Sequence, residues 1–237
     1  MRLNLYKIKR LLGWVVTNSQ SLRWITQGVV LKRLWAGRVD ATKRCLDVGC
    51  GGGTYAIEHF LARGAHTTLC DYEASLVELA RRQVGESGLG ARAEILQASA
   101  YALPFENATF DCIACIEVLE HLEDPVSALR EIFRVAKPGA MMLASTPHPP
   151  EWYDNPSHVV EGYTCGGLTT LIEQGGWKVE RTEVCILLLS RIVFTIRSIL
   201  RVPLPLNLLV AVENLVPVPW RKYLLPYDVI ALARRPE

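Results

Sequence analysis

Residues 44–56 read RCLDVGCGGGTYA, with Asp47 followed by four glycines, Gly49, Gly51, Gly52 and Gly53, around Cys50. Main-chain N–H groups can be brought against a ligand only where no Cβ intervenes, and glycine also reaches positive φ without penalty. Before the cluster, Cys45, Leu46 and Val48 read as a buried strand; after it, Thr54, Tyr55, Ala56, Ile57 and Phe60 begin a helix. Strand, glycine loop and helix together place backbone donors and the positive end of a helix dipole at one point. That arrangement reads as a ligand site rather than a plain turn. A carboxylate about 20 residues beyond such a loop is placed to hold the two hydroxyls of a ribose. Asp71 stands there.

Proton-transfer chemistry has fewer candidates. His121 follows Glu117 at the spacing of one helical turn, so both are expected to face one site. His148, in STPHPPEWY, lies on a Pro-rich loop placed to cover a pocket, and His158 follows ten residues later. Cys112 and Cys115 have CxxC spacing, but they lie in the strand-like FDCIACI, where residues three apart point to opposite faces. No His or Cys cluster has metal-ligand spacing, so no metal is expected.

Positioning these residues requires alternating strands and helices. HTTLCDY ends in Asp71 and is followed by a helix in EASLVELARRQV, with Leu76, Leu79 and Ala80 at helical spacing. ARAEILQ is a third strand, with Ser99 just past it, and FDCIACIE a fourth, ended by Glu117. Asp124 caps the next helix, Pro125 suits its first turn, Val126, Leu129, Ile132 and Phe133 form its apolar stripe, and KPG stops it. AMMLAST, WKVERTEVCILL and YDVIALARR supply the remaining strands, with a helix in GLTTLIEQGG. The pattern is that of a doubly wound, Rossmann-like α/β fold: a seven-stranded sheet with helices on both faces and the last strand antiparallel. In such sheets ligands bind at the carboxyl ends of the strands, where the glycines, Asp71, Ser99 and Glu117 all fall.

The chain has 237 residues, half of them hydrophobic, enough for one domain with extensions. Cys45, Cys50, Cys70, Cys112, Cys115 and Cys185 sit in or beside apolar runs and read as reduced core residues of a cytoplasmic protein. The formal net charge of +2 hides an asymmetry: residues 1–44 hold ten Lys or Arg against one acid, residues 45–189 nine against twenty, and residues 190–237 seven against three. A basic arm, 1–43, therefore precedes a domain, 44–237, whose middle is acidic, and an anionic surface is the candidate partner of the arm.

Taken in order, LDVGCGGG, LCDYEASLVELA, ALPFENATFDCIACIEVLEHLEDP and VAKPGAMMLASTP resemble the successive motifs of class I S-adenosylmethionine-dependent methyltransferases, especially the branch containing quinone-type C-methyltransferases and many small-molecule enzymes. The resemblance spans about residues 44–185. It implies S-adenosylmethionine as cofactor, with Asp47, Gly49, Cys50, Gly51 and Gly53 along its methionine part. It further implies Asp71 with Tyr72 at the ribose, Ala100 and its neighbours at adenine, and Glu117 and His121 near the reacting methyl. HVVEGYT, from His158, resembles the family's substrate-side segment, which makes His158 a candidate substrate contact or base beside His121 and His148. Ser99 is a departure, standing where the family commonly has an acid that accepts from the adenine amine; a neutral acceptor makes the weaker hydrogen bond. Ala140 replaces a second family glycine after KPG.

The expected reaction is metal-independent methyl transfer to oxygen or carbon of a small, apolar acceptor: a lipid, isoprenoid, quinone or phenol. A catalytically silent cofactor-binding protein is the alternative. A nicotinamide oxidoreductase fits less well, because the GxGxxG fingerprint counted from Gly49 meets Thr54 at its sixth position. Nucleic acid is not expected, since no NPPY-type segment follows the fourth strand and the basic arm lacks interleaved aromatics. Residues 186–222 form a long apolar insertion whose uncharged stretches are far shorter than the roughly 20 residues needed to span a bilayer. With the arm, where Leu5, Ile8, Leu12 and Val15 share a helical face, it suggests peripheral attachment to the inner face of a membrane. A lid or a dimer face has the same pattern, and oligomeric state stays open.

Overall fold

The computed structural model describes residues 19–149, 156–185, 215–217, 220 and 226–237, with side chains described from residue 26 onward. Helix α1 (Ser19–Leu34) leads to β1 (Arg44–Val48), the short α2 (Thr54–His59), β2 (His66–Asp71), α3 (Ala74–Ser87) and β3 (Ala93–Gln97). Then come β4 (Phe110–Ile116), α4 (Pro125–Val135), β5 (Ala136–Pro147), α5 (Cys165–Gln174), β6 (Lys178–Cys185) and β7 (Asp228–Arg234). The sheet order is β3-β2-β1-β4-β5-β7-β6. β1 pairs in parallel with β2 and β4, β2 with β3, and β4 with β5. At the other end the start of β5 meets the end of β7: Gly139 N–H donates to Arg235 O at 3.0 Å and Arg235 N–H to Ala140 O at 2.8 Å. That exchange makes β7 antiparallel, as expected from the sequence.

The chain divides into two compact units. One comprises Leu31–Glu183 and Val229–Glu237; the other comprises residues 1–30 and 184–228. In the first, Cys45 to Val48 of β1 and Cys112 to Ile116 of β4 are all buried, the near-continuous apolar run of strands covered on both faces. Trp35 packs edge-on against Phe60, ring centroids 5.2 Å apart. Arg33 and Arg181 both pair with the buried Glu183. In the second, Gln27 Nε2 donates to buried Asp228 Oδ2 at 2.8 Å and Tyr227 N–H to Cys185 O at 3.2 Å. The faces assigned to Leu5–Val15 and almost all of the 186–222 insertion lie outside the described residues.

Some expectations are corrected in detail. The buried stripe of α3 is Val77, Ala80 and Val84, with Leu76 and Leu79 only partly covered. Asp124 caps α4, its Oδ1 accepting from Ser127 N–H at 3.0 Å, but the core face is Ala128, Leu129, Ile132 and Val135. The helix ends at Val135, just before KPG, as expected, and the chain passes directly into β5, where Lys137 pairs with Asp111 at 2.9 Å and Gly139 takes φ +74. The β4–β5 register shifts between Phe110 and Cys112 to accommodate this. All seven cysteines are free, Cys112 Sγ lying 3.5 Å from Arg38 O.

Candidate active site

Strand order reverses between β1 and β4, since β2 and β3 lie to one side of β1 and β4 and β5 to the other. The glycine loop leaves β1 at this switch point. Gly49, Gly51 and Gly53 have φ of +66, +51 and +77, which only glycine adopts without strain. Their surroundings differ. A Cβ on Gly49 would stand 2.4 Å from Val118 Cγ2, and one on Gly53 2.9 Å from Leu69 Cδ2, so both allow close packing inside the protein. A Cβ on Gly51 would meet nothing within 4 Å: this is the bare backbone that faces open space. Cys50 N–H donates to Cys70 O at 3.0 Å, tying the loop to β2, and burial pushes the Cys50 thiol well up, out of reactive range.

Two carboxylates lie beneath this loop and have different partners. Asp71, at the end of β2, accepts from Gly51 N–H at 2.8 Å and Glu73 N–H at 3.0 Å, so its charge is held by two backbone donors. Asp47 is 2% exposed and accepts from Ala56 N–H, while its Oδ2 has no hydrogen-bond partner among the described residues. Burial, reinforced by the charge of Asp71, pushes the Asp47 carboxyl up to about 7. Tyr72 is 74% exposed beside them, its carbonyl accepting from Gln97 Nε2 at 2.8 Å. Past β3, Ser99 Oγ accepts from Tyr101 N–H at 3.2 Å within a turn that carries the half-buried Ala100. Open bare backbone, a buried oxygen that lacks a partner, a preset carboxylate and an exposed aromatic ring fit the methionine, ribose and base of S-adenosylmethionine.

Across the switch point, Glu117 follows β4 with φ +59, a strained value for a residue with a side chain. Buried Ser145 of β5 holds it twice: its carbonyl accepts from Glu117 N–H at 3.0 Å and its hydroxyl donates to Glu117 Oε1 at 2.6 Å. His121 is not one turn of a continuous helix away from Glu117, as the spacing suggests. It closes a 3-10 turn, Leu119–His121, and reaches the site by that route. Its Nδ1 lies 2.9 Å from Ser157 O. A carbonyl only accepts, so Nδ1 carries a proton and, in the neutral ring, Nε2 is the nitrogen with a lone pair.

His158 arrives from far along the chain. Val159 and Val160 N–H both donate to Glu120 O, at 2.9 and 3.3 Å, and the His158 ring stands edge-on to His121 with centroids 4.7 Å apart. His148, half-buried, follows directly on β5; residues 150–155 between it and the returning segment lie outside the described residues. The sequence offers no metal spacing, yet the fold brings one potential ligand atom each from Glu120, His121 and His158 within 4.8 Å of one another. Glu120, fully buried, and Ser145 are site residues that sequence reading misses. Neither carries a spacing signal, and only the positive φ at Glu117, invisible in the sequence, points to the Ser145 clamp.

Comparison with known proteins meets this geometry. Residues 46–144 match the family described as "Methyltransferase domain". Curated relatives include the "Ubiquinone biosynthesis O-methyltransferase" of Xylella fastidiosa (strain 9a5c), 41% identical over 103 residues, which are 44% of this chain and 41% of that one. The protein of the same name from Pseudomonas fluorescens (strain Pf0-1) is 38% identical over 130 residues, 54% and 51% of the two chains. The chain thus spans about half the length of the curated relatives it matches. Among solved structures, a SAM-dependent methyltransferase from Aquifex aeolicus aligns with TM-score 0.62 and 21% identity over 88% of each chain. The [4+2]-cyclase SpnF aligns with TM-score 0.64 and 23% identity over 87% of this chain and 80% of its own. These two share the fold. The family match opens inside β1 and closes inside β5, so residues 46–144, which carry the glycine loop, both aspartates and Glu117, are similar to the methyltransferase domain family.

Proposed function

We propose that the chain methylates a hydroxyl oxygen of a quinone-type phenolic acceptor. The observation that carries the reading is His121, whose Nδ1–H is committed to Ser157 O, so that in the neutral ring Nε2 is the proton acceptor, with His158 and Glu120 close by. When bound, S-adenosylmethionine supplies a methyl group on a sulfonium, a leaving group that needs no metal. The protein's part is alignment, proton removal and exclusion of water. In this reading the loop of Gly49, Cys50, Gly51 and Gly53 cradles the methionine part. Asp71 and Tyr72 hold the ribose, and Ser99 and Ala100 border the base. Glu117, fixed by Ser145, lines the methyl end, and His121 takes the phenolic proton with His158 alongside. Val159 and Val160, 53% and 37% exposed next to His158, offer an apolar lip for the acceptor. The names of the curated relatives support a quinone-type substrate.

Glu120, His121 and His158 are read as an acid–base group rather than a metal centre. Exhaustive chelation is expected to leave transfer intact; loss on chelation with recovery on adding a divalent ion would overturn that assignment. The acceptor class has its own test, formation of S-adenosylhomocysteine with phenolic quinone precursors, lipids and soluble phenols compared side by side. Turnover confined to a soluble, charged acceptor would reject the apolar reading.

Reversible attachment to an anionic membrane belongs to the same reading. Among the described residues no helix is long and apolar enough to cross a membrane. Support comes from the sequence: Lys7, Lys9, Arg10, Lys32 and Arg33 in the arm and Arg191, Arg197 and Arg201 in the insertion alternate with apolar residues. Each cation near such a leaflet contributes about 1 kcal/mol. Flotation with anionic vesicles at low salt is expected, with release at high salt as screening shortens to about 3 Å at 1 M. Protein left in the soluble fraction at low salt would assign both segments to a lid or dimer face.

A further inference from the structure

Asp47 and Asp71 lie under one loop without a cation to share. Among the described residues neither takes part in an ion pair, and the groups acting on Asp47 are Asp71 of β2 and the N–H of Ala56. The other titratable neighbours are the thiols of Cys50 in the loop, Cys70 on β2 and Cys115 on β4, each itself pushed up by burial and by Asp47. No lysine, arginine or histidine enters this set.

Two carboxylates under one loop cost more to ionise together, and the cost falls on the one whose oxygen lacks a donor. Asp71 accepts two backbone N–H bonds. Asp47 is the more deeply buried, and its Oδ2 has no partner, so the proton of the pair resides there. Resting on the reading that this cradle takes S-adenosylmethionine, we propose that cofactor binding expels a proton: Asp47 is neutral in the free protein and becomes the carboxylate counter-ion of a cationic group on the cofactor. The step balances simply. The O–H proton of Asp47 leaves to solvent, and an ammonium N–H or the sulfonium replaces it at Oδ2. Affinity consequently rises with pH until the free protein has lost that proton by itself.

Calorimetric titration tests this in buffers of low and high ionisation enthalpy, at about pH 6.5, where an α-amino group is protonated throughout. S-adenosylhomocysteine, which has the ammonium but no sulfonium, is the first probe and S-adenosylmethionine the second. Release of roughly 0.5 to 1 proton per ligand, that of one carboxyl near its midpoint, is expected for the wild type and none for Asp47→Asn. Release already seen with S-adenosylhomocysteine identifies the ammonium as the partner, and release with S-adenosylmethionine alone identifies the sulfonium. Should Asp47→Asn fail to fold, Asp71→Asn serves: removing the neighbouring charge shifts the release to lower pH. Buffer-independent binding heat in the wild type, or undiminished release in Asp47→Asn, overturns the proposal. Failure of both ligands to bind would instead overturn the cofactor reading on which it rests.

Discussion

At the scale of single residues, the site divides into groups set before any ligand arrives and groups that wait for one. Asp71 is preset: its two backbone donors orient both oxygens while leaving further lone pairs for hydroxyls. Asp71→Ala is expected to weaken S-adenosylhomocysteine binding by about 1.5 to 3 kcal/mol, the value of charge-assisted hydrogen bonds lost without replacement. A calorimetric Kd equal to wild type would remove Asp71 from the ribose. For His121, the expected loss in His121→Phe is about 100-fold in kcat with cofactor Kd unchanged, together with disappearance of the limb of the pH–rate profile that reports the base. A retained limb would shift the base to His158. The places of Asp71 at the end of β2 and of the glycines in the turn after β1 are legible in the sequence because a left-handed backbone and a strand end demand fixed residue types at fixed spacing. The His121–His158 pair and the Ser145 clamp are not, since they join residues 37 and 28 positions apart by contacts that leave no local pattern.

Element by element, the sequence reads well wherever a strand or helix has one dominant cause. β1 and β4 are apolar on both faces, and α4 has Asp124 and Pro125 at its start. Where two causes compete the reading slips, as along α3 and α4, whose buried faces run through Val77 and Val84 and through Ala128 and Val135 rather than through Leu76, Leu79, Val126 and Phe133. The glycines test the same point by contrast. Gly49→Ala combines a left-handed backbone with a Cβ 2.4 Å from Val118 Cγ2, and is expected to lower stability by about 2 kcal/mol or more in denaturant titration. Gly28→Ala, inside α1 with nothing within 4 Å of the new Cβ, is expected to raise it by about 0.5 to 1 kcal/mol. Equal effects at the two positions would mean that the loop is not held as described.

Stability of the whole molecule carries a pH dependence from groups buried without their usual partners. His59 is 4% exposed, neither ring nitrogen has a hydrogen-bond partner among the described residues, and burial, aided by Arg63 and Lys32, pushes its pKa down to about 4. The unfolded chain, at the ordinary 6.5, takes up the proton first. The neutral His59 therefore contributes fully above about pH 6.5, and its contribution drains away as pH falls toward 4. His59→Leu is expected to narrow the fall in Tm between about pH 7.5 and pH 5 relative to wild type; an unchanged fall would place the ring in contact with water. Asp47, with its raised pKa, acts in the opposite direction over the same range, binding its proton more tightly when folded, so the difference between variants is the informative quantity. The acidic middle, basic arm and apolar insertion give the chain an organisation that the sequence displays openly, whereas the His121–His158 pair is assembled only by the fold. The central claim is that this site carries out methyl transfer to oxygen. It is tested most directly by incubating the protein with methyl-labelled S-adenosylmethionine and a prenylated phenolic quinone precursor, then following the label by mass spectrometry. The expected result is label on a hydroxyl oxygen of the acceptor with one S-adenosylhomocysteine formed per methyl transferred; cofactor bound in full with no label transferred would contradict it and leave a silent S-adenosylmethionine-binding protein.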